Sequence, residues 1–117
     1  ADGTTYDWIV VNDVSGYGSS MKYGAFAGGD QPYSVVENPE ITDGSACLVI
    51  KDSYGNAEVP FYVDSFEEIY VCDIRYFDLY APDFIKENGI TDVLFTMCTF
   101  SAVGENAEGI KNNLLSE

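Results

Sequence analysis

Three apolar runs constrain this chain more than anything else in it: ACLVIK (46–51), EIYVCDI (68–74) and DVLFTMC (92–98). Each has the length of a strand, each is bordered by acidic or glycine-containing turns, and each is nearly continuous rather than alternating. A strand that is apolar on both sides belongs in a parallel sheet covered on both faces. The intervening segments have helical spacing. Val59, Tyr62, Val63 and Phe66 recur at i, i+3, i+4 and i+7, which is one helical face. In LYAPDFIKENG, Pro82 suits a first helical turn, Phe84 and Ile85 are packing residues and Gly89 is a stop. Beyond the third run, Ala107, Ile110 and Leu114 again lie three and four apart. The expected fold is therefore α/β, three-layered, with a mostly parallel sheet in the order β-α-β-α-β-α.

Residues 1–45 behave differently. YDWIVV and YSVVENPE read as strands, while the glycines and serines of DVSGYGSS and AFAGGDQP mark turns or loops. This part is a β-rich, loop-rich lead-in that pairs with the sheet edge or forms loops over its ligand end. Gly28, Gly29 and Asp30 read as a tight turn with a left-handed residue or as a loop offering backbone groups to a substrate. A chain of 117 residues suffices for one domain and not for two, so 1–117 is read as a single unit with its β-α repeats over 46–117.

Charge excludes several function classes. Five Lys and Arg stand against twenty Asp and Glu, a net charge of −15. That field repels phosphate backbones and anionic lipid, so neither nucleic acid nor a membrane surface is an expected partner. No stretch approaches the roughly 18 continuous apolar residues of a spanning helix. Ala1 opens the sequence with neither an initiator Met nor a basic-plus-apolar leader, the pattern of a processed product or of a piece of something longer. Cys47, Cys72 and Cys98 are far apart with no histidine anywhere, so no zinc site and no metal is expected. Cys47 and Cys72 fall in strand-like runs as small hydrophobes, and one disulfide with a spare thiol is the other reading. Neither GxGxxG nor GxxxxGK[ST] follows a strand, so no nucleotide cofactor is expected. GxSxG is absent as well.

The stretch LVIKDSYGNAEVPF carries the main candidate. Ser53 stands at the carboxyl end of the first repeat strand, where ligands bind in parallel α/β sheets. It is either a helix N-cap or a nucleophile, with backbone N–H groups around Gly55 and the Asn56 amide as oxyanion donors. Pro60 disfavours a helix running straight through the segment and suits one that begins near Asn56 or Ala57, with Pro60 in its first turn and 53–56 as an exposed turn. Asp52 reads as a turn or cap acceptor. With Asp73 it is also a candidate acidic edge for a cation-dependent phosphohydrolase. Arg75, the single arginine, is either an anion clamp or the partner of an aspartate at the same sheet end. The usual base for a serine is histidine, and the chain has none.

YGAFAGGDQPYSVVENP, LVIKDSYGNAEVPF, FEEIYVCDIRYF and KENGITDVLF, spanning about Tyr23 to Phe95, together resemble the C-terminal part of bacterial DHHW proteins. That group is related to SGNH-hydrolase-like proteins and to acetyltransferase-like proteins of exopolysaccharide modification. The resemblance implies an SGNH- or flavodoxin-like α/β domain, of which this chain is a fragment. It matches Ser53 to the serine of the Asp-Ser block, with Lys51 where the broader superfamily has glycine. It matches Gly28, Gly29 and Asp30 to a family loop in which relatives carry asparagine or aspartate followed by histidine, where this chain has Gln31; together with the clamp reading of Arg75, this makes Gly29, Asp30 and Arg75 the substrate-binding candidates. It implies an extracytoplasmic serine esterase or O-acyltransferase acting on cell-envelope carbohydrate, without a cofactor. The activating Asp and His belong to an upstream part of the same protein, so the isolated chain is expected to be inactive. The competing expectation is a non-catalytic carbohydrate-binding or structural domain on the same scaffold.

Overall fold

In the computed structural model, which describes residues 9–115, the three apolar runs form neighbouring strands. Strand β2 (Ala46–Lys51) lies between β3 (Glu68–Asp73) and β4 (Asp92–Thr96), parallel to both. Strand β1 (Tyr33–Glu37) pairs with the far side of β3 in the antiparallel sense, giving the order β1-β3-β2-β4. The lead-in thus supplies an edge strand, as its sequence suggests. Of YDWIVV, residues Tyr6–Trp8 lie outside the described residues, and Val11 makes a single bridge with Phe26 instead of a strand. A 3-10 segment, Ser19–Ala25, occupies part of what reads as loop.

All six residues of β2 are buried, Lys51 included. Its side chains alternate between two clusters. Ala46, Leu48 and Ile50 pack with Tyr70, Cys72, Ile74, Phe77, Ala81 and Phe84. Cys47 and Val49 pack with Ile69, Val71, Val59 and Ala27 on the opposite face. This two-sided burial is why the runs do not alternate in sequence. Leu48, Val49 and Ile50 each contribute about 1.5–3 kcal/mol by leaving water. Cys47 and Cys72 lie on opposite faces and all three thiols are free; burial pushes Cys47 up to about 11 and Cys72 to about 12. The pair behaves as buried apolar residues, and the disulfide alternative is set aside.

One face is covered by α1 (Ala81–Glu87), which carries Pro82 in its first turn and is followed by Gly89 with φ 62°. Phe84 stands edge-on to Tyr70 and Phe77, with ring centroids 5.6 and 5.4 Å apart. Helix α3 (Glu105–Leu115) adds Ile110 to this layer; the Leu114 side chain expected beside it lies outside the described part. A short helix, α2 (Thr99–Val103), precedes it and has no periodic signal in the sequence.

The other face corrects the expected order. Where an α-helix was expected, three successive 3-10 turns run over Ser53–Ala57, Val59–Phe61 and Val63–Ser65. Val59, Tyr62, Val63 and Phe66 all pack on the core, so the apolar spacing marks the buried side. The N–H groups of Glu58, Phe61, Tyr62 and Ser65, however, reach carbonyls three residues back. Pro60 explains the difference. It has no N–H to give, and its ring would clash with the carbonyl four residues back in an α-helix, whereas short 3-10 turns need no such bond there. The result is a mixed α/β fold whose sheet is mostly parallel, with one antiparallel pair.

Strand β4 closes the described sheet on its other side. Val93 and Phe95 share the face of Leu48 and Ile50 yet stay exposed, Phe95 at 56%. Among the described residues, no helix is long and apolar enough to cross a membrane.

Candidate functional site

The carboxyl end of β2 runs directly into the site. Asp52, in extended conformation, caps the first 3-10 turn by accepting the Tyr54 N–H on Oδ1 at 2.9 Å. Its Oδ2 accepts the Cys98 N–H at 2.9 Å and the Ser101 hydroxyl at 2.7 Å. Asn106 Nδ2 donates in turn to Ser101 Oγ at 3.2 Å. Burial alone would raise the Asp52 carboxyl; the Ser101 hydroxyl and the Cys98 contacts outweigh it and hold it at about 2. A carboxylate so stabilised and so fully occupied is a poor base. Asp52 ties β2 to the start of α2, and its cap reading is the one its geometry supports.

Ser53 opens the turn, partly exposed, and its N–H and hydroxyl have no hydrogen-bond partner among the described residues. The Gly55 N–H, by contrast, donates to the Asp52 carbonyl at 3.1 Å, so that hydrogen closes the turn. Gly55 answers to packing: a Cβ there would lie 2.5 Å from Lys51 Cβ and 3.0 Å from the Thr96 carbonyl oxygen. Only a residue without a side chain lets the turn settle onto the ends of β2 and β4. Asn56 follows Ser53 by three residues, and side chains at that spacing eclipse one another in a 3-10 turn. Asn56 is buried; its Nδ2 donates to Asp30 Oδ1 at 2.9 Å, and its Oδ1 has no partner among the described residues.

Beneath the turn lies a four-charge cluster. Lys51 pairs in register with Asp73, and its Nζ is 2.9 Å from Asp73 Oδ2. Arg75 clasps the same carboxylate from the other side, Nε to Oδ1 at 2.8 Å and Nη2 to Oδ2 at 2.6 Å. Arg75 Nη2 also meets Asp30 Oδ2 at 2.8 Å, and Lys51 Nζ lies 3.9 Å from Asp30 Oδ1. Burial would raise the Asp73 carboxyl, but Arg75 and Lys51 hold it below the usual range. Arg75 is raised in turn, first by its hydrogen bonds to Asp73. Two positive and two negative groups cancel here, within a chain of net charge −15.

Arg75 is therefore an aspartate partner more than an open clamp. Asp73 has both oxygens filled by cationic groups and Asp52 has both filled by neutral donors, so the two do not make a paired acidic edge for a cation. The loop that brings Asp30 in is left-handed at three consecutive residues: Ala27 (φ 48°), Gly28 (φ 76°) and Gly29 (φ 80°). The tight-turn reading of the glycines fits, and Ala27 bears the strain.

The structure thus brings Ser53, Asn56, Asp30 and Arg75 into one neighbourhood at the end of β2. The sequence reading missed Cys98, Ser101 and Asn106 as the anchors of Asp52. The nearest signal was their position just after the third apolar run, since helix starts commonly need an acceptor; here it is supplied from 46 residues away.

Comparison with known proteins bears on the family and the fold. The family described as DHHW protein matches residues 2–72. A solved DHHW family protein from Eubacterium siraeum is 67% identical, with a TM-score of 0.81 over 93% of this chain. Bacillus cereus PatB1 is 28% identical, with a TM-score of 0.67 over 82% of this chain. PatB1 solved with a sulfonyl adduct gives 30%, 0.62 and 72%. The chain spans 35% of the first structure and 32% and 28% of the two PatB1 structures, about a third of their length. Among curated proteins none matches.

Proposed function

The chain belongs to the DHHW family, and from that premise we propose that it is the serine-bearing part of an esterase or O-acyltransferase. Its substrate class would be acylated carbohydrate of the cell envelope, met outside the cytoplasm. The observation that carries this reading is the state of Ser53. It stands at the carboxyl end of the central strand, and its hydroxyl and N–H are uncommitted among the described residues, while both oxygens of Asp52 and the Gly55 N–H beside it are engaged. The likeness to PatB1 with a sulfonyl adduct adds support, because sulfonyl groups are retained by nucleophilic atoms.

Ser53 Oγ would attack the acyl carbonyl carbon. The Oγ–C bond forms, the ester C–O bond breaks, and the serine proton passes through a base to the departing alcohol. Water or a sugar hydroxyl then attacks the acyl-serine, releasing Oγ as it loses its own proton. The Ser53 N–H and the second hydrogen on Asn56 Nδ2 would face the oxyanion. The base would come from an upstream part of the same protein, since this chain has no histidine and Asp52 is held at about 2.

The test is covalent. The full-length protein is treated with phenylmethylsulfonyl fluoride and the adduct is mapped by mass spectrometry. Modification of Ser53, lost in Ser53→Ala and absent from the isolated 117-residue chain, is the expected result. A folded full-length protein that takes up no reagent would favour the non-catalytic carbohydrate-binding reading, for which the missing histidine is the argument.

A further inference from the structure

We propose that Asp30 is a positioning residue, which fixes the Asn56 amide beside Ser53 from a separate part of the chain. The inference rests on the reading of Ser53 as nucleophile. An asparagine amide has two ends of opposite character, and a turn that must donate to an oxyanion needs the nitrogen end held in place. Within its own turn nothing decides which end faces which way. Asp30 decides it: a carboxylate accepts and cannot donate, so the group 2.9 Å from its Oδ1 must be Nδ2. The Asn56 carbonyl oxygen is thereby turned to a buried place where it finds no partner among the described residues. Leaving such an acceptor unsatisfied is costly, and the Asp30 bond outweighs that cost.

Asp30 is itself held. It is 38% exposed and sits on a loop with three left-handed residues in a row, an arrangement that relaxes unless its surroundings over-determine it. Arg75 Nη2 at 2.8 Å and Lys51 Nζ at 3.9 Å provide that hold, and both cations are fixed by the fully buried Asp73. The chain of contacts Asp73, Arg75 and Lys51, Asp30, Asn56 converts a rigid sheet end into an orientation at the serine turn. Asp30 needs no contact with substrate for this role.

The experiment uses the full-length protein, with p-nitrophenyl acetate hydrolysis and the rate of Ser53 modification by phenylmethylsulfonyl fluoride as readouts. Asp30→Ala and Asp30→Asn are expected to lower kcat and the modification rate by about 10- to 100-fold, the scale of a small misplacement at a reacting centre, with KM changed by less than about 2-fold. The exchange Asp30→Asn with Asn56→Asp keeps the net charge and rebuilds the hydrogen bond with its polarity reversed. It should regain part of the melting temperature lost in the single variants, the ion pair of Arg75 with Asp30 staying broken, but not the rates, because position 56 would then present a carboxylate. If the exchange restores rate and stability together, or if both Asp30 variants react at the wild-type rate, Asp30 is only a structural contact and the proposal falls. If wild-type protein itself gives no adduct and no hydrolysis, the reading of Ser53 falls and takes this one with it; the wild-type arm separates the two failures.

Discussion

Two aspartates are buried at the same end of the sheet by opposite means. Asp73 is fully buried and neutralised by Lys51 and Arg75. Asp52, almost as deep, meets no cation among the described residues and is satisfied by two N–H groups and a hydroxyl. A carboxylate held by cations and one held by neutral donors are both depressed, yet they leave different debts behind. Removing Asp73 strands a buried ammonium, whereas removing Asp52 strands only neutral donors that water can reach more cheaply.

The first way to break this comparison is Asp73→Ala. With Lys51 only 1% exposed, the unpaired charge is expected to cost about 3–5 kcal/mol, read from urea unfolding at pH 7. A loss below about 1 kcal/mol would mean that Lys51 finds Asp30 instead and that the two sites are alike. Asp52→Asn is expected to cost less, roughly 2 kcal/mol, since a carboxyl lowered from 3.8 to about 2 is worth about 1.36 kcal/mol per unit.

The same shifts set the acid limit. Both folded-state values lie below the unfolded ones, so their stabilisation is complete above the unfolded value and disappears as pH falls through the folded one. Stability of the wild-type protein should fall between about pH 5 and pH 2, and in Asp52→Asn that decline should be shallower. An unchanged slope would remove Asp52 from the account. Gly55→Ala is expected to cost about 1–3 kcal/mol by overpacking against Lys51 and Thr96. Ser53→Ala comes last, within about 0.5 kcal/mol of wild type, because the hydroxyl holds nothing in place; a larger loss would turn the residue back into a structural cap.

The strands and the faces they bury were legible because burial on two sides leaves uninterrupted apolar runs, and a covering segment leaves its own spacing. Val59, Tyr62, Val63 and Phe66 show the limit of that signal. The spacing identifies the side that packs, but backbone hydrogen bonding chooses between α and 3-10, and there Pro60 prevails. At the site, the position of Ser53 just past a strand end and the pairing of Arg75 with an aspartate were readable from the sequence. The Asp30 to Asn56 bond and the anchoring of Asp52 by Ser101 join residues 26 and 49 apart, and no local pattern encodes such contacts. The unexpected α2 is five residues long, too short to leave a period.

Lys51 and Gly55 cannot drift independently through descent. The stem of the lysine fills the volume that any side chain at 55 would need, with a separation of 2.5 Å for even one carbon. A lineage that exchanges Lys51 for glycine frees that volume, leaving the Thr96 carbonyl at 3.0 Å and the Thr96 Cγ2 at 3.1 Å to limit position 55 to a small residue. It also removes the ammonium beside Asp73 and Asp30. Homologous sequences are therefore expected to sort into two correlated sets, one keeping lysine, bare glycine and both distant aspartates together, the other relinquishing them as a group. An alignment in which these four positions vary without regard to one another would show that the sheet end imposes no such joint inheritance.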